Sequence, residues 1–191
     1  MDNDITQQPI WHEMLSGNEY DALSPILGAE LTRVKGLVQQ YNSIDSTRQD
    51  LMDTAIKQII GRHGENIKIL QPFFCDYGRN IHVGENFFAN FHFTVLDEGI
   101  VEIGDNAFVG PNVSIYTACH PLTPNERNTG REWSEGVTIG NNVWIGGSAT
   151  IIPGVHIGNN VVIGAGSVVT KNVPDNEVWA GNPAKFIKKV Q

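Results

Sequence analysis

Apolar residues recur at every sixth position over two stretches of this chain. The shorter stretch is Ile103, Val109 and Ile115, and the longer one is Ile139, Ile145, Ile151, Ile157, Ile163 and Val169. A period of six matches neither the 3.6 residues of a helical turn nor the alternation of a half-buried strand. It predicts a mainly β protein, a parallel β-helix built as a three-sided prism, in which each hexapeptide repeat forms one face and points its apolar residue to the axis.

The first part of the chain, residues 1–62, has a different period and predicts an α-helical cap. We expect a short helix near residues 10–16, a second one beginning at Ser24-Pro25, and a third from Asp45 to Ile60. The second helix has its apolar residues at helical spacing: Leu27, Leu31, Val34 and Val38. Because the end of a solenoid exposes unpaired strand edges, we expect the cap to dock there.

The six-residue ladder is interrupted twice within the predicted β-helix, residues 63–175. Between Val95 and Ile103 the step is eight residues, which predicts a bulge carrying Asp97 and Glu98. Residues 116–136 break the ladder altogether and predict an extruded loop, and loops of this length inside a regular fold commonly carry function. Residues 176–191 form a basic C-terminal tail, in which we expect residues 184–190 to be helical.

Charge and composition exclude some classes of function. The 191 residues carry a net charge of −8, which argues against general nucleic-acid binding. We expect no membrane association and no secretory signal, because no apolar run approaches the roughly 18 residues of a membrane span. Two cysteines make no disulfide framework, so we expect a cytoplasmic protein. After Ile139, four lysines outnumber two acidic residues, which places any anionic ligand near that end.

His120, at the base of the extruded loop, is the leading candidate for catalysis. Histidine titrates near neutral pH and is suited to take a proton from an alcohol. Its second ring nitrogen needs a partner that fixes the tautomer, and we expect a backbone carbonyl. Asn90 and Asp97 lie on earlier coils, and we expect them to stack near His120 and to bind an acceptor.

Two other chemistries are less consistent with the pattern. A Cys119–His120 nucleophilic pair is disfavoured because successive residues of an extended chain point to opposite sides. A zinc site would have His82, His92 and His120 available. However, the chain lacks the two histidines four residues apart that zinc-binding hexapeptide helices of the carbonic anhydrase type use. We therefore predict no metal.

Nearly the whole chain, from about residue 11 to 189, resembles the maltose/galactoside O-acetyltransferases, which are hexapeptide-repeat acyltransferases. This resemblance implies a left-handed winding, a homotrimer with active sites between subunits, acetyl-CoA as donor and a sugar such as maltose, glucose or a galactoside as acceptor. The segments that carry it are MLSGNEYDALSP, FFCDYGRNIHVGENFFANF, VLDEGIVEIGDNAFVGPNVSIYTACHP, VTIGNNVWIGGSATIIPGVHIGNNVVIGAGSVVTK and GNPAKFIKK.

The same resemblance assigns roles to individual residues. His120 matches the catalytic histidine, and backbone N–H groups near Gly146 and Gly147 are expected at the oxyanion. Positions that match acceptor-binding residues are Asp76, Asn90, Asp97 and Glu98. Positions that match CoA-binding residues are Trp144, Gly147, Ala165, Thr170, Lys171, Lys185 and Lys188.

The chain also departs from one branch of the family. Glu98 replaces an Asp, Ala22 replaces an acceptor-binding Asp, and Lys185 and Lys188 replace arginines near the CoA 3′-phosphate. An antibiotic (xenobiotic) acetyltransferase and a non-catalytic β-solenoid scaffold stay as alternatives, although the helical cap argues against the first.

Overall fold

The computed structural model of the protein describes residues 4–190 and begins with the helical cap. A short 3-10 turn, Ile5–Gln7, precedes α1 (Pro9–Leu15), β1 (Tyr20–Asp21), α2 (Pro25–Ser43) and α3 (Gln49–Ile56). The first two predicted helices are confirmed, and the third is shorter than the predicted segment 45–60. Its start is delayed because the Asp45 carboxylate accepts a hydrogen bond from the Thr47 N–H (2.9 Å), which makes a turn there.

The rest of the described chain is built almost entirely of short strands. In chain order they are β2 (Arg62–His63), β3 (Lys68–Ile69), β4 (Phe73–Cys75), β5 (Ile81–Val83), β6 (Phe88–Ala89), β7 (Phe93–Leu96), β8 (Val101–Ile103), β9 (Phe108–Val109), β10 (Ser114–Tyr116), β11 (Ala118–Cys119), then α4 (Pro124–Arg127), β12 (Arg131–Ser134), β13 (Val137–Ile139), β14 (Trp144–Ile145), β15 (Thr150–Ile151), β16 (His156–Ile157), β17 (Val162–Ile163), β18 (Val168–Val169), β19 (Glu177–Gly181) and β20 (Ala184–Lys189).

Three stacked sheets form the faces of a prism, which confirms the predicted parallel β-helix. Face 1 contains β2, β5, β8, β13 and β16; face 2 contains β3, β6, β9, β14, β17, β19 and β20; face 3 contains β4, β7, β10, β15 and β18. The ladder residues lie in register and inside: Ile139 pairs with Ile103 and Ile157, and all three are buried. Burial of one apolar side chain per face is therefore what sets the six-residue period.

The corner between faces 1 and 2 is held by a ladder of asparagines that the sequence analysis did not predict. Each asparagine has a positive φ, and every member except the last donates its side-chain amide to the next one at 2.9–3.1 Å. Asparagine tolerates this left-handed conformation, and stacking satisfies its amide groups. The members are Asn66, Asn86, Asn106, Asn142, Asn160 and Asn176.

Both ends of the prism are covered. The second half of α2 and α3 pack on the first coil, where Val38, Met52 and Ile56 join the prism core and the Tyr41 hydroxyl donates to the Ile69 carbonyl. The expected docking of the cap at one end is thus confirmed. At the other end β19 and β20 form an antiparallel hairpin.

The prediction of a C-terminal helix over residues 184–190 is wrong. Residues 184–189 form β20, because the chain reverses after Gly181 and pairs with the last strand edge of face 2, which leaves fewer unpaired backbone groups. Among residues 4–190, no helix has both the length and the apolar character needed to cross a membrane.

The extruded segment 116–136 is ordered rather than an open loop. Strands β11 and β12 pair antiparallel, and β1 of the cap adds a third strand on the other side of β12. This small sheet projects from the corner between faces 3 and 1. It joins the cap to the coil that carries His120.

Candidate active site

His120 follows β11 directly and faces the opposite strand of the small sheet. Its side chain is 57% exposed, and its Nδ1 atom lies 3.4 Å from Oε2 of Glu132. The expectation of a backbone carbonyl partner is therefore wrong, because a carboxylate occupies that place. The negative charge of Glu132 beside Nδ1 favours the tautomer that carries its N–H there, which leaves Nε2 free to accept a proton.

Glu132 is a candidate functional residue that the sequence analysis did not identify. The hairpin pairs Ala118 with Ser134 and Cys119 with Trp133, so His120 and Glu132 come opposite each other. Glu132 is buried, and its other oxygen accepts a hydrogen bond from the Tyr20 hydroxyl. Only the pairing register separates Glu132 from the two other glutamates between residues 126 and 135, Glu126 and Glu135, and no local sequence signal reveals that register.

Asp97 does not face a ligand, which contradicts its predicted role in acceptor binding. The side chain is completely buried, and its carboxylate accepts hydrogen bonds from the backbone N–H groups of Asp76 (3.1 Å), Tyr77 (2.9 Å) and Asn80 (3.3 Å). Burial raises the pKa of Asp97 to about 7, against the lowering effect of the N–H donors. Asp97 instead holds the turn that presents Asp76.

Glu98 and Asp76 lie beside each other at the same corner as His120. Burial is the main cause that raises the pKa of Glu98 to about 9, followed by the nearby charge of Asp76 and a hydrogen bond to it. A carboxyl group whose pKa is raised this far keeps its proton, so Glu98 is neutral near pH 7. Within residues 4–190 its buried Oε2 atom has no hydrogen-bond partner. Together the two side chains offer donor and acceptor groups for hydroxyls.

Asn90 lies at a different corner, between faces 2 and 3. Within one chain, the four-residue strand β7, about 13 Å long, separates it from the Glu98 corner. The predicted grouping of Asn90 with His120 is therefore wrong for a single chain. Asn90 instead lines a groove of about 450 Å³ along face 2, together with Trp144, Gly147 and Ala165.

This groove brings together three of the predicted cofactor-binding residues. Trp144 is 58% exposed and forms an apolar wall. Gly146 is required there because a Cβ atom would lie 2.5 Å from the Ala165 nitrogen of the next coil. The Gly146 N–H already donates to the Ile163 carbonyl (2.7 Å), which leaves Gly147 as the candidate oxyanion donor of the two.

A second cavity, of about 280 Å³, lies at the C-terminal end of the prism. Thr170, Lys171 and Lys185 line it together with Trp179 and Phe186. Two lysines that are distant in sequence thus line one cavity. Lys188 is exposed on β20 beside this cavity but does not line it.

The structure gives no support to the two competing chemistries. Burial raises the pKa of the Cys119 thiol to about 11, which disfavours a thiolate nucleophile. His82 lies on face 1, whereas His92 follows the corner between faces 2 and 3 and His120 lies at the third corner. In the part of the chain from 4 to 190, no three His, Cys, Asp or Glu side chains are arranged to hold a metal ion.

The raised pKa of Glu98 predicts a pH-dependent stability. The folded-state pKa of about 9 lies above the unfolded value of about 4.3, so the proton stabilises the fold fully below pH 4 and this stabilisation is lost as the pH rises towards 9. A glutamine at this position cannot ionise. The Tm of the wild type minus that of Glu98→Gln should therefore fall steadily between pH 5 and pH 9.

Thermal melts of both proteins across this range test the prediction. The exposed residue Glu13 provides a control, since the difference for Glu13→Gln should stay constant. A Glu98→Gln difference that is independent of pH contradicts a protonated Glu98.

Comparison with known proteins shows the family. The family described as maltose acetyltransferase hexapeptide capping motif matches residues 13–64, and the bacterial transferase hexapeptide (six repeats) family matches residues 136–171. The galactoside O-acetyltransferase of Escherichia coli K12 is 39% identical over 182 residues, which is 95% of this chain and 90% of that protein.

Two solved structures share the fold along nearly the full chain. A maltose O-acetyltransferase from Clostridium difficile 630 superposes with a TM-score of 0.94 at 47% identity and covers 96% of this chain and 98% of its own. A galactoside acetyltransferase in complex with coenzyme A has a TM-score of 0.92 at 38% identity and covers 96% and 92%. With its capped prism, its hexapeptide repeats and these relatives, the chain belongs to the maltose/galactoside O-acetyltransferase family of sugar acetyltransferases.

Proposed function

We propose that the protein transfers an acetyl group from acetyl-CoA directly to a hydroxyl of a sugar such as maltose, glucose or a galactoside, with His120 as general base. The observation that carries this proposal is the exposed imidazole of His120, whose Nδ1 atom faces the buried Glu132 carboxylate at 3.4 Å. This arrangement directs Nε2 outward as the free base. It is the arrangement expected of a histidine that activates an alcohol.

The reaction needs two proton transfers, one to His120 and one from it. His120 Nε2 takes the proton of the sugar hydroxyl while the oxygen attacks the thioester carbonyl. The Gly147 N–H donates to the resulting oxyanion. Collapse of the tetrahedral intermediate breaks the carbon–sulfur bond, and the departing CoA thiolate recovers the proton from His120. The products are the acetylated sugar and CoA.

The acceptor side of the proposed site contains Asp76 and Glu98. A charged carboxyl group accepts hydrogen bonds from sugar hydroxyls, and a neutral one can also donate a hydrogen bond to them. Together they would align one hydroxyl with His120. A cavity of about 610 Å³ between α2 and β4 reaches Asp76 and has room for the rest of an acceptor. Asp97 acts on this side only by holding the Asp76 turn.

The donor side uses the groove on face 2 and the basic cavity at the end of the prism. Trp144, Gly147 and Ala165 would flank the pantetheine arm, since small residues let it approach the backbone. Thr170, Lys171, Lys185 and the exposed Lys188 would bind the CoA phosphates by charge. Two of the similar solved structures, a galactoside acetyltransferase and a Vibrio cholerae acetyltransferase, contain coenzyme A or acetyl-CoA, which supports this ligand for the groove.

We further propose a homotrimer with active sites between subunits. One chain presents His120 at the corner between faces 3 and 1, but its donor groove lies along face 2 and the next corner. Transfer needs both the His120 corner and the donor groove, so a neighbouring copy of the chain has to supply the groove. We expect this assembly to act in the cytoplasm, where the free thiols of Cys75 and Cys119 stay reduced.

Acetyl-CoA with a panel of sugars and aminoglycosides, followed by thiol release, tests the proposed function. We expect release with maltose, glucose or a galactoside. Release only with aminoglycosides would favour the antibiotic acetyltransferase alternative. No release, together with no shift of Tm on adding acetyl-CoA, would favour a non-catalytic scaffold.

Replacing Glu132 with glutamine should lower kcat by about 10- to 100-fold with little change in either KM. The amide that replaces the carboxylate no longer stabilises the imidazolium that forms when His120 takes the proton. Steady-state kinetics of Glu132→Gln measure the effect. The exposed Glu135 serves as the matched control, and a similar loss in Glu135→Gln would argue against a specific role for Glu132.

A further inference from the structure

The N-terminal cap contains two separate hydrophobic clusters. One closes the end of the prism, as described above. The other contains Trp11, Met14, Tyr20, Leu27 and Tyr77 and packs α1 and β1 against the small sheet and the corner of the prism. This second cluster does not cover the strand edges at the end of the prism. We therefore considered which other part of the molecule it holds in place.

Three polar contacts tie this part of the cap to the hairpin that carries Glu132. The Ser134 hydroxyl donates to the Met14 carbonyl (2.6 Å), and the Ala22 N–H donates to the Gly130 carbonyl (3.1 Å). Strand β1 pairs with β12 so that Tyr20 lies opposite Glu132. The segment is thus fixed to β12, the central strand of the small sheet, on both sides of Glu132.

The side chain of Tyr20 adds a fourth contact. The hydroxyl donates to Oε1 of Glu132, whereas Oε2 of the same carboxylate is the atom near His120 Nδ1. Tyr20 is only 1% exposed, so water has no access to replace it. Burial, the hydrogen bond to Glu132 and the nearby acidic groups all raise its pKa, so the hydroxyl stays a donor.

We propose that Tyr20 is a positioning residue for the reaction: its hydroxyl holds the Glu132 carboxylate in the orientation that presents Oε2 to His120. The proposal rests on the proposed function, in which His120 is the base. The Tyr20 hydroxyl is bonded to Glu132 and not to His120, so its effect on the base passes through Glu132. By this route the cap becomes part of the catalytic machinery instead of a cover alone.

Tyr20→Phe should lower kcat by about 5- to 30-fold, because a carboxylate that loses a charged hydrogen bond is free to rotate away from His120. The KM values for acetyl-CoA and for the sugar should stay within about twofold. Steady-state kinetics with the sugar identified from the acceptor panel measure both. An unchanged kcat, or a loss that appears in KM, would overturn the proposal.

A second measurement separates positioning from a general structural effect. In Glu132→Gln the Tyr20 hydroxyl holds the amide oxygen, so the NH₂ group faces His120 Nδ1 and enforces the wrong tautomer. Removing the hydroxyl in this background lets the amide turn. In the Glu132→Gln background, Tyr20→Phe should therefore leave kcat unchanged or raise it. If Tyr20→Phe instead lowers kcat there by the same factor as in the wild type, Tyr20 and Glu132 act independently.

Tyr41→Phe is the matched control. Tyr41 lies in the same cap, is equally buried and donates its hydroxyl to the Ile69 carbonyl, away from Glu132. Both variants should lose a few degrees of Tm, but only Tyr20→Phe should lower kcat. If His120→Ala keeps its activity, the proposed function falls; if His120→Ala is inactive and Tyr20→Phe is not impaired, only the role of Tyr20 falls.

Discussion

His120→Ala is expected to lower kcat by about 10²–10⁴-fold, which is the range for losing a general base. Without the imidazole, the sugar hydroxyl has to attack the thioester before any group takes its proton. The KM for acetyl-CoA should change little, because the residues that line the donor groove, among them Trp144, Gly147 and Ala165, stay in place. Steady-state kinetics and the shift of Tm with acetyl-CoA measure the two effects separately.

His156→Ala is the control for this experiment. His156 is exposed on β16 of face 1, away from the small sheet, so its loss should leave kcat unaffected. His120→Ala with near-normal turnover removes His120 as the base. Loss of the acetyl-CoA-dependent shift of Tm in the same variant would mean that His120 serves donor binding instead.

Ala165→Trp is expected to lower kcat/KM for acetyl-CoA by roughly 100-fold, since the new indole fills the groove that Ala165 lines and displaces the donor from its reactive position. Ala165 is exposed, so the larger side chain enters open space and does not disturb the core. This variant keeps His120 and Glu132 intact. It therefore complements His120→Ala, which keeps the groove.

Mixed trimers of the two inactive variants should recover activity. If each site joins the His120 corner of one subunit to the groove of its neighbour, every mixed trimer contains one complete site of three, or about a third of the wild-type rate. Co-expression with two different tags and purification through both isolates these trimers. Recovery of this size places the active site between subunits.

The opposite result is equally clear. If each chain completes its own site, every subunit of the mixed trimer is inactive and no recovery occurs. The size of each variant in solution serves as the control, since Ala165→Trp has to assemble like the wild type. A monomeric wild type would also contradict the proposed site between subunits.

The fold was predictable because its determinants are local and repeated. Ile139, Ile145 and Ile151 each mark the same inward position of one face, so the six-residue step specifies the winding without knowledge of distant contacts. The start of α2 was equally clear from Ser24-Pro25. Prediction failed at β20, because whether residues 184–189 form a strand depends on a free sheet edge that only the finished prism provides.

The site was predictable only in part. His120 and the bulge at Glu98 are visible as interruptions of the ladder. Asp97 and Glu98 are adjacent and chemically alike, yet one is buried under three backbone N–H donors and the other faces the corner. Which of two adjacent carboxyl groups points inward depends on the local path of the bulge, which the pattern of repeats does not specify.

The sequence by itself determined the prism, the cap, the position of the extruded segment and the residue most suited to act as base. These follow from periodicity and residue type, which act over a few neighbouring positions. Only the tertiary structure decided that Glu132 faces His120, that Tyr20 of the cap holds Glu132, and that Asn90 lies at a different corner. Those relations join residues 12 to 112 positions apart, and they depend on strand pairing and on the turns of the winding, for which a linear sequence carries no local signal.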